Sequence, residues 1–192
     1  MANKVRFGLE QAYYALIQED GTFGTPKPLK GAVSLTLNPE GNSSVFYADN
    51  CPYVPFSTNA GYTGEIEIAV LEDADAVALL GEVKAANGIT YEDSAAQPAH
   101  FALMFQTIGN VHDKRYAFYD CTLSRPTMNA NTTTDSTDPD TTTLSFTSIP
   151  LEMEVEGAKV KVTKGVIENT TEGKAIYDAW YTAVQTPATV AA

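Results

Sequence analysis

Positive charge is scarce in this chain: 12 Lys and Arg stand against 24 Asp and Glu in 192 residues, a formal net charge of -12. That balance excludes a role that grips nucleic-acid phosphates, which rests on clustered Lys and Arg. The shortage is also local. Between Gly31 and Val83 no Lys or Arg occurs, while Glu40, Asp49, Glu65, Glu67, Glu72, Asp73, Asp75 and Glu82 all fall there. One region of the fold is therefore expected to carry a negative field, for which solubility alone is a sufficient reason. Cysteine is limited to Cys51 and Cys121, far apart in unrelated contexts, and both are expected to be free thiols. No apolar run approaches the roughly 20 residues of a membrane helix, and Met-Ala-Asn-Lys-Val-Arg leads into no signal-peptide hydrophobic region. The expectation is a cytosolic product without membrane insertion.

The material for catalysis is equally thin. Histidine, the commonest proton carrier, occurs only as His100 and His112. There is no Gly-rich phosphate loop, no Gly-x-Ser-x-Gly elbow and no paired-Cys metal spacing. Cys121 has no evident activating His and reads as structural. Carboxylates are plentiful enough for a glycosidase pair, but an acid-rich surface supplies such pairs by chance. Asp135, Asp138 and Asp140 miss the ligand pattern and glycine of an EF-hand loop. Three sequons, at Asn42, Asn131 and Asn169, would matter only in a secreted eukaryotic protein. No catalytic residue, cofactor or metal site is implied.

What is present is period-two alternation, the mark of half-buried strands. Val33-Ser34-Leu35-Thr36-Leu37 puts its apolar residues on one face, and Asn38-Pro39-Glu40-Gly41 reads as a stop. Thr63 to Val70 turns Ile66, Ile68 and Val70 inward and Glu65 and Glu67 outward. His100–Thr107 and Arg115–Leu123 read as aromatic strands of a hairpin. Leu151 to Glu156 alternates, and a turn at Gly157-Ala158 into Lys159-Val160-Lys161-Val162 would set Glu156 opposite Lys159 and Glu154 opposite Lys161. Two short helices are predicted. One is capped by Asp73 and stopped by Gly81; the other runs from a Thr171 cap through Ala183 with Ile176, Ala179, Trp180 and Ala183 on one face. Pro126 to Asp140 reads as a Thr-, Asn- and Asp-rich loop, and Gln185 to Ala192 as a loose tail.

One segment does not read as an ordinary loop. Asn38 to Gly61 is about two dozen residues long and carries Val45, Phe46, Tyr47, Tyr53, Val54 and Phe56. Those side chains need cover, either from their own domain or from a neighbouring subunit.

The order of these elements resembles the major tail proteins of long-tailed phages and prophages of Gram-positive bacteria. The residues that carry the resemblance are Gly31 to Gly41, Phe46-Tyr47-Ala48-Asp49-Asn50, Gly61 to Glu67, Phe101-Ala102-Leu103-Met104-Phe105 and Tyr119 to Pro126. It implies a mostly β, sandwich or barrel-like tail-tube fold with one or two short flanking helices, formed by residues 1–192 as one domain. It implies homohexameric rings stacked into a tube around a lumen that passes DNA, with Asn38 to Gly61 as the loop that bridges rings. Phe46, Tyr47, Tyr53, Val54 and Phe56 become the contact candidates. An acidic wall would let DNA slide by without the counterion-release attraction of a basic one. Glu65 and Glu67 are the first candidates for it, and Glu152 and Glu154, with Glu156 beside them, are weaker ones because Lys residues face them. A plain solvent-facing strand accounts for Glu65 and Glu67 as well as a lumen wall does. The implied partners are further copies of the chain, a tape-measure protein, and baseplate and tail-terminator proteins, with DNA passing unbound. The virion tail is the implied location, and the host cytoplasm the place of synthesis. Readings of another class are a monomeric carbohydrate- or receptor-binding β-sandwich module and an Ig-like decoration domain.

Overall fold

The computed structural model describes residues 5, 7–109, 112–128, 130, 132 and 140–188. Asn131, Asp135 and Asp138, most of the Thr- and Asn-rich loop, and residues 189–192 lie outside them.

In chain order the strands are β1 (Phe7–Leu16), β2 (Lys27–Pro28), β3 (Ala32–Glu40), β4 (Ser43–Ala48), β5 (Cys51–Ser57) and β6 (Gly61–Ile68). Helix α1 (Asp73–Leu80) follows, then β7 (Val83–Lys84), β8 (Thr90–Tyr91), β9 (His100–Ile108), β10 (Lys114–Leu123) and β11 (Thr142–Ile149). The chain closes with β12 (Leu151–Val155), β13 (Ala158–Val162), β14 (Lys164–Glu168) and α2 (Lys174–Ala179). One eight-stranded antiparallel sheet runs β2-β1-β9-β10-β11-β6-β3, and β14 also pairs with β10. The halves of β10 have different neighbours on that flank: Asp120 to Leu123 pair with β11, and Lys114 to Phe118 with β14. A bulge between Phe118 and Cys121 lies at the handover and reverses which face successive residues occupy.

The sheet curls until β1 and β3, far apart in its order, come close together. Its concave face encloses Tyr14, Ile66, Ile68, Phe101, Leu103, Phe118, Leu144 and Phe146, and α1 inserts Ala76, Leu79 and Leu80 among them. Fully burying a side chain such as Leu103 contributes about 1.5–3 kcal/mol. On the other face, Ala15, Met104, Ala117 and Tyr119 lie under Trp180, with Ile176 and Tyr181 from the C-terminal segment and Leu151, Met153 and Val162 from the β12–β13 ribbon. The fold is thus barrel-like on one side of the sheet and layered on the other.

The C-terminal segment is held by polar contacts as well. The Arg115 guanidinium lies 3.8 Å over the Tyr177 ring and 4.7 Å from that of Tyr181, and its Nε donates to Gln106 at 2.8 Å. The Tyr119 hydroxyl donates to the Gln185 carbonyl at 3.0 Å, and burial pushes that phenol up to about 12. Gln185 is itself buried and donates to the carbonyls of Ala179 and Ala183. The stretch expected to be loose from Gln185 onward therefore begins docked.

Other elements differ from the sequence reading for definable reasons. Asn38-Pro39-Glu40 continues β3, pairing with Thr63, Tyr62 and Gly61. Val33 does not share the inward face of Leu35 and Leu37: a register shift between Ala32 and Ser34 leaves it 56% exposed. Val70 is 67% exposed because β6 ends at Ile68. Glu72, not Asp73, occupies the N-cap of α1, without a side-chain bond; Gly81 does end the helix, at φ 77. Asp75 accepts the Tyr14 hydroxyl at 2.7 Å, which ties α1 to β1. Helix α2 is a short piece of the expected one, starting after Gly173. The turn between β12 and β13 is Glu156-Gly157, both at positive φ, so Glu154 faces Lys159 and Glu152 faces Lys161, one step along from the expected pairing.

Candidate functional site and assembly surfaces

Three surfaces collect the candidate residues. The first is the Asn38–Gly61 segment, which is a β-hairpin, β4 paired with β5, rather than an irregular loop. Its ladder matches Ser44 with Phe56, Val45 with Pro55 and Phe46 with Val54. Alternation in a two-stranded ribbon places Phe46, Val54 and Phe56 on one side and Val45 and Tyr47 on the other. Neither side is covered: Phe46 is 57%, Tyr47 64%, Tyr53 70% and Phe56 55% exposed, and only Val54 among the candidates is partly buried. A lone hairpin is marginal in water, and this one exposes aromatics on both sides.

The second surface is the convex face of β3, β6 and β11, where the register stacks three polar rungs. Asn38, Thr63 and Thr147 form one, Thr36, Glu65 and Ser145 the next, and Ser34, Glu67 and Thr143 the third. None of the residues of these three strands is basic. Glu65 and Glu67 both point to this face while Ile66 and Ile68 point to the core. The hydroxyls orient the carboxylates. Thr141 donates to Oε1 of Glu67 at 2.6 Å, Ser34 to its Oε2 at 2.9 Å, and Thr63 to Glu40 at 2.8 Å. Gly64 lets the strands approach here, since a Cβ on it would lie 2.5 Å from the Thr36 carbonyl oxygen and 2.7 Å from the Phe146 ring.

Hydrogen bonds from Thr141 first and Ser34 second hold the Glu67 carboxyl below its ordinary value. A depressed carboxyl pKa contributes stability above the unfolded-state value, and that contribution is lost as pH falls through the folded-state value. Thr141→Ala is therefore expected to raise the Glu67 midpoint toward that of a free glutamate in a carbon-13 carboxyl titration. An unchanged midpoint would show that the hydroxyl does not hold the charge.

The third surface, the β12–β13 ribbon, carries Glu152 and Glu154 outward, but Lys159 and Lys161 stand opposite and Lys159 lies 3.0 Å from Glu152. Its field is largely cancelled. The sequence reading missed the polar rung residues Thr143, Ser145 and Thr147 because it did not recognise β11. The available signal was the alternation of Leu144, Phe146 and Ser148, all buried, with Thr143, Ser145 and Thr147.

The residues considered for catalysis stay apart. His100 Nδ1 meets Asp120 at 2.6 Å at the start of β9, while His112 is exposed near the other end of that hairpin. Burial pushes the Cys121 thiol up to about 12, and Cys51 is exposed at the hairpin tip. Among the described residues no group of three or more His, Cys, Asp or Glu could hold a metal ion. No helix among them is long and apolar enough to cross a membrane. A groove of about 480 Å³ opens at the end of the barrel away from α1, lined by Leu37, Tyr62, Phe105, Tyr116, Phe118 and Lys164 among others.

A mostly antiparallel sheet with an uncovered aromatic hairpin and an acid-and-hydroxyl face suits a protein that works through surfaces shared between copies. The phage tail tube protein family matches residues 58–186, from just before β6 to beyond α2, which is more than half of the chain. The chain belongs to that family, a structural component of the virion tail that self-assembles into a tube. The β4–β5 hairpin lies N-terminal to the matched span. No curated protein matches the chain.

Proposed function

We propose that this protein forms homohexameric rings that stack into the tail tube, with the β4–β5 hairpin bridging rings and the convex β3–β6–β11 face lining the lumen. The observation that carries the reading is the hairpin. It exposes Phe46, Tyr47, Tyr53 and Phe56 by more than half each, a cost in water that a second subunit removes. The lumen assignment is supported by the unbroken polar face without basic residues, against which phosphates find no counter-charge to bind. The β12–β13 ribbon is the weaker candidate because its lysines offset its glutamates. DNA then passes without specific binding, and no cofactor takes part. A tape-measure protein would occupy the bore before DNA does, with baseplate and terminator proteins at the tube's ends; synthesis takes place in the host cytoplasm.

Negative-stain electron microscopy at high protein concentration, paired with size-exclusion chromatography, tests the reading. Sixfold rings or hollow tubes are expected. A persistent monomer would overturn it.

A further inference from the structure

The two edges of the exposed hairpin are chemically unequal. We propose that the outer edge of β4 pairs through its backbone with a strand of a second copy of this chain, while the outer edge of β5 is closed to such pairing. This rests on the tube reading, which supplies the second copy.

Opposed residues in an antiparallel ladder alternate between pairs that exchange N–H···O=C bonds and pairs whose backbone groups point outward. The Thr58 N–H donates to the Asn42 carbonyl at 2.9 Å. Stepping in twos from there makes Ser44 with Phe56 and Phe46 with Val54 bonded pairs, and Val45 with Pro55 an outward-pointing one. At the far end, the turn residues Asp49 and Asn50 have φ 52 and 60, so Ala48 and Cys51 close a two-residue turn as a bonded pair. Tyr47 with Pro52 is then outward-pointing, and the register shift absorbs Tyr53. Both prolines therefore sit where the missing N–H would have faced away from β4, a place where an edge strand accepts them.

The edges differ as a result. On β5 the outward donors at positions 52 and 55 are gone. On β4, Ser43, Val45 and Tyr47 keep theirs, two residues apart, the spacing that one added strand reads. Lysine, a common guard of free edges, is absent from Gly31 to Val83. Val45 and Tyr47, the apolar residues at these open positions, are 42% and 64% exposed, so side-chain burial would accompany the backbone bonds. A second copy is the occupant because the family builds its tube by self-assembly. Joining β4 to a different strand of the next copy gives a heterologous contact, which can repeat along a tube.

Residue-resolved hydrogen exchange on assembled and dissociated protein tests this. The Val45 and Tyr47 amides are expected to slow by at least about 100-fold on assembly, while Ser57 stays fast. Val45→Pro removes an outward donor without touching a bonded pair of the hairpin and is expected to lose assembly, whereas Val45→Ala keeps the donor and assembles. Circular dichroism checks that the proline variant folds, and the exchange measurement needs no variant. Tubes in which the Val45 and Tyr47 amides exchange as fast as in free subunits would overturn the edge pairing and leave the tube reading standing. Wild-type protein that never exceeds a monomer would overturn both.

Discussion

Replacing Phe46, Tyr47 and Phe56 together with Ser is expected to abolish ring stacking while leaving the subunit folded. All three are more than half exposed in the isolated subunit, so the subunit's own core loses little; surface changes of this kind usually stay within about 0.5 kcal/mol each. The interface stands to lose far more. Fully burying an apolar side chain contributes about 1.5–3 kcal/mol, and somewhat over half of each of these three is still open to cover, so together they amount to about 2.5–5 kcal/mol per contact, or roughly two to four decades in the association constant. Each subunit of a ring would lose the same contact, so stacking should fail at any practical concentration. Size-exclusion chromatography and electron microscopy read assembly, and a thermal melt reads the fold. A variant whose melting temperature collapses would place those rings in the subunit core, and one that still stacks would remove the hairpin from the interface.

The strands and the hairpin contents differed in how legible they were, and the reason is backbone geometry. Where alternation is unbroken, as in Thr63 to Ile68 or Leu151 to Val155, side-chain period and strand coincide and the element can be read directly. Strand β1 was not recognised because its bulge, with Gln11 at φ 52, lets Leu9, Ala12 and Tyr14 share one core face at uneven spacing. The β4–β5 hairpin is hard to read as paired strands because Pro39, Pro52 and Pro55 resemble strand breakers. Each proves tolerable where the backbone bond it lacks is not needed. Helix α2 was overestimated because Ile176 and Trp180 have helical spacing, yet they are held by packing on Met104, Ala117 and Tyr119 rather than by a long helix. For the candidate surfaces, the outward direction of Glu65 and Glu67 followed from period two alone. Their hydroxyl clamps did not, since Ser34 and Thr141 are distant in sequence and meet Glu67 only through the sheet order.

Reversing charge on the convex face separates the two candidate walls. The double variant Glu65→Lys, Glu67→Lys should assemble, because the changed side chains lie away from both the core and the hairpin. If the face lines the bore, stacked copies would present a column of lysines to the lumen. Short duplex DNA should then be retained in a form that added nuclease cannot reach, a test that excludes DNA bound on the outer surface. Retention should be steeply salt-dependent: a site with several phosphate contacts loses about 10³-fold or more in affinity between 50 and 200 mM salt. The matched variant Glu152→Lys, Glu154→Lys changes the same amount of charge on the β12–β13 ribbon and should give no nuclease-protected DNA. The reverse pattern, with protection only in the ribbon variant, would move the lumen to that ribbon and leave the polar rungs of β3, β6 and β11 as outer surface. What makes the two sites distinguishable is their lysines: opposite Glu152 and Glu154 they already offset the field, whereas the strands that flank Glu65 and Glu67 carry none.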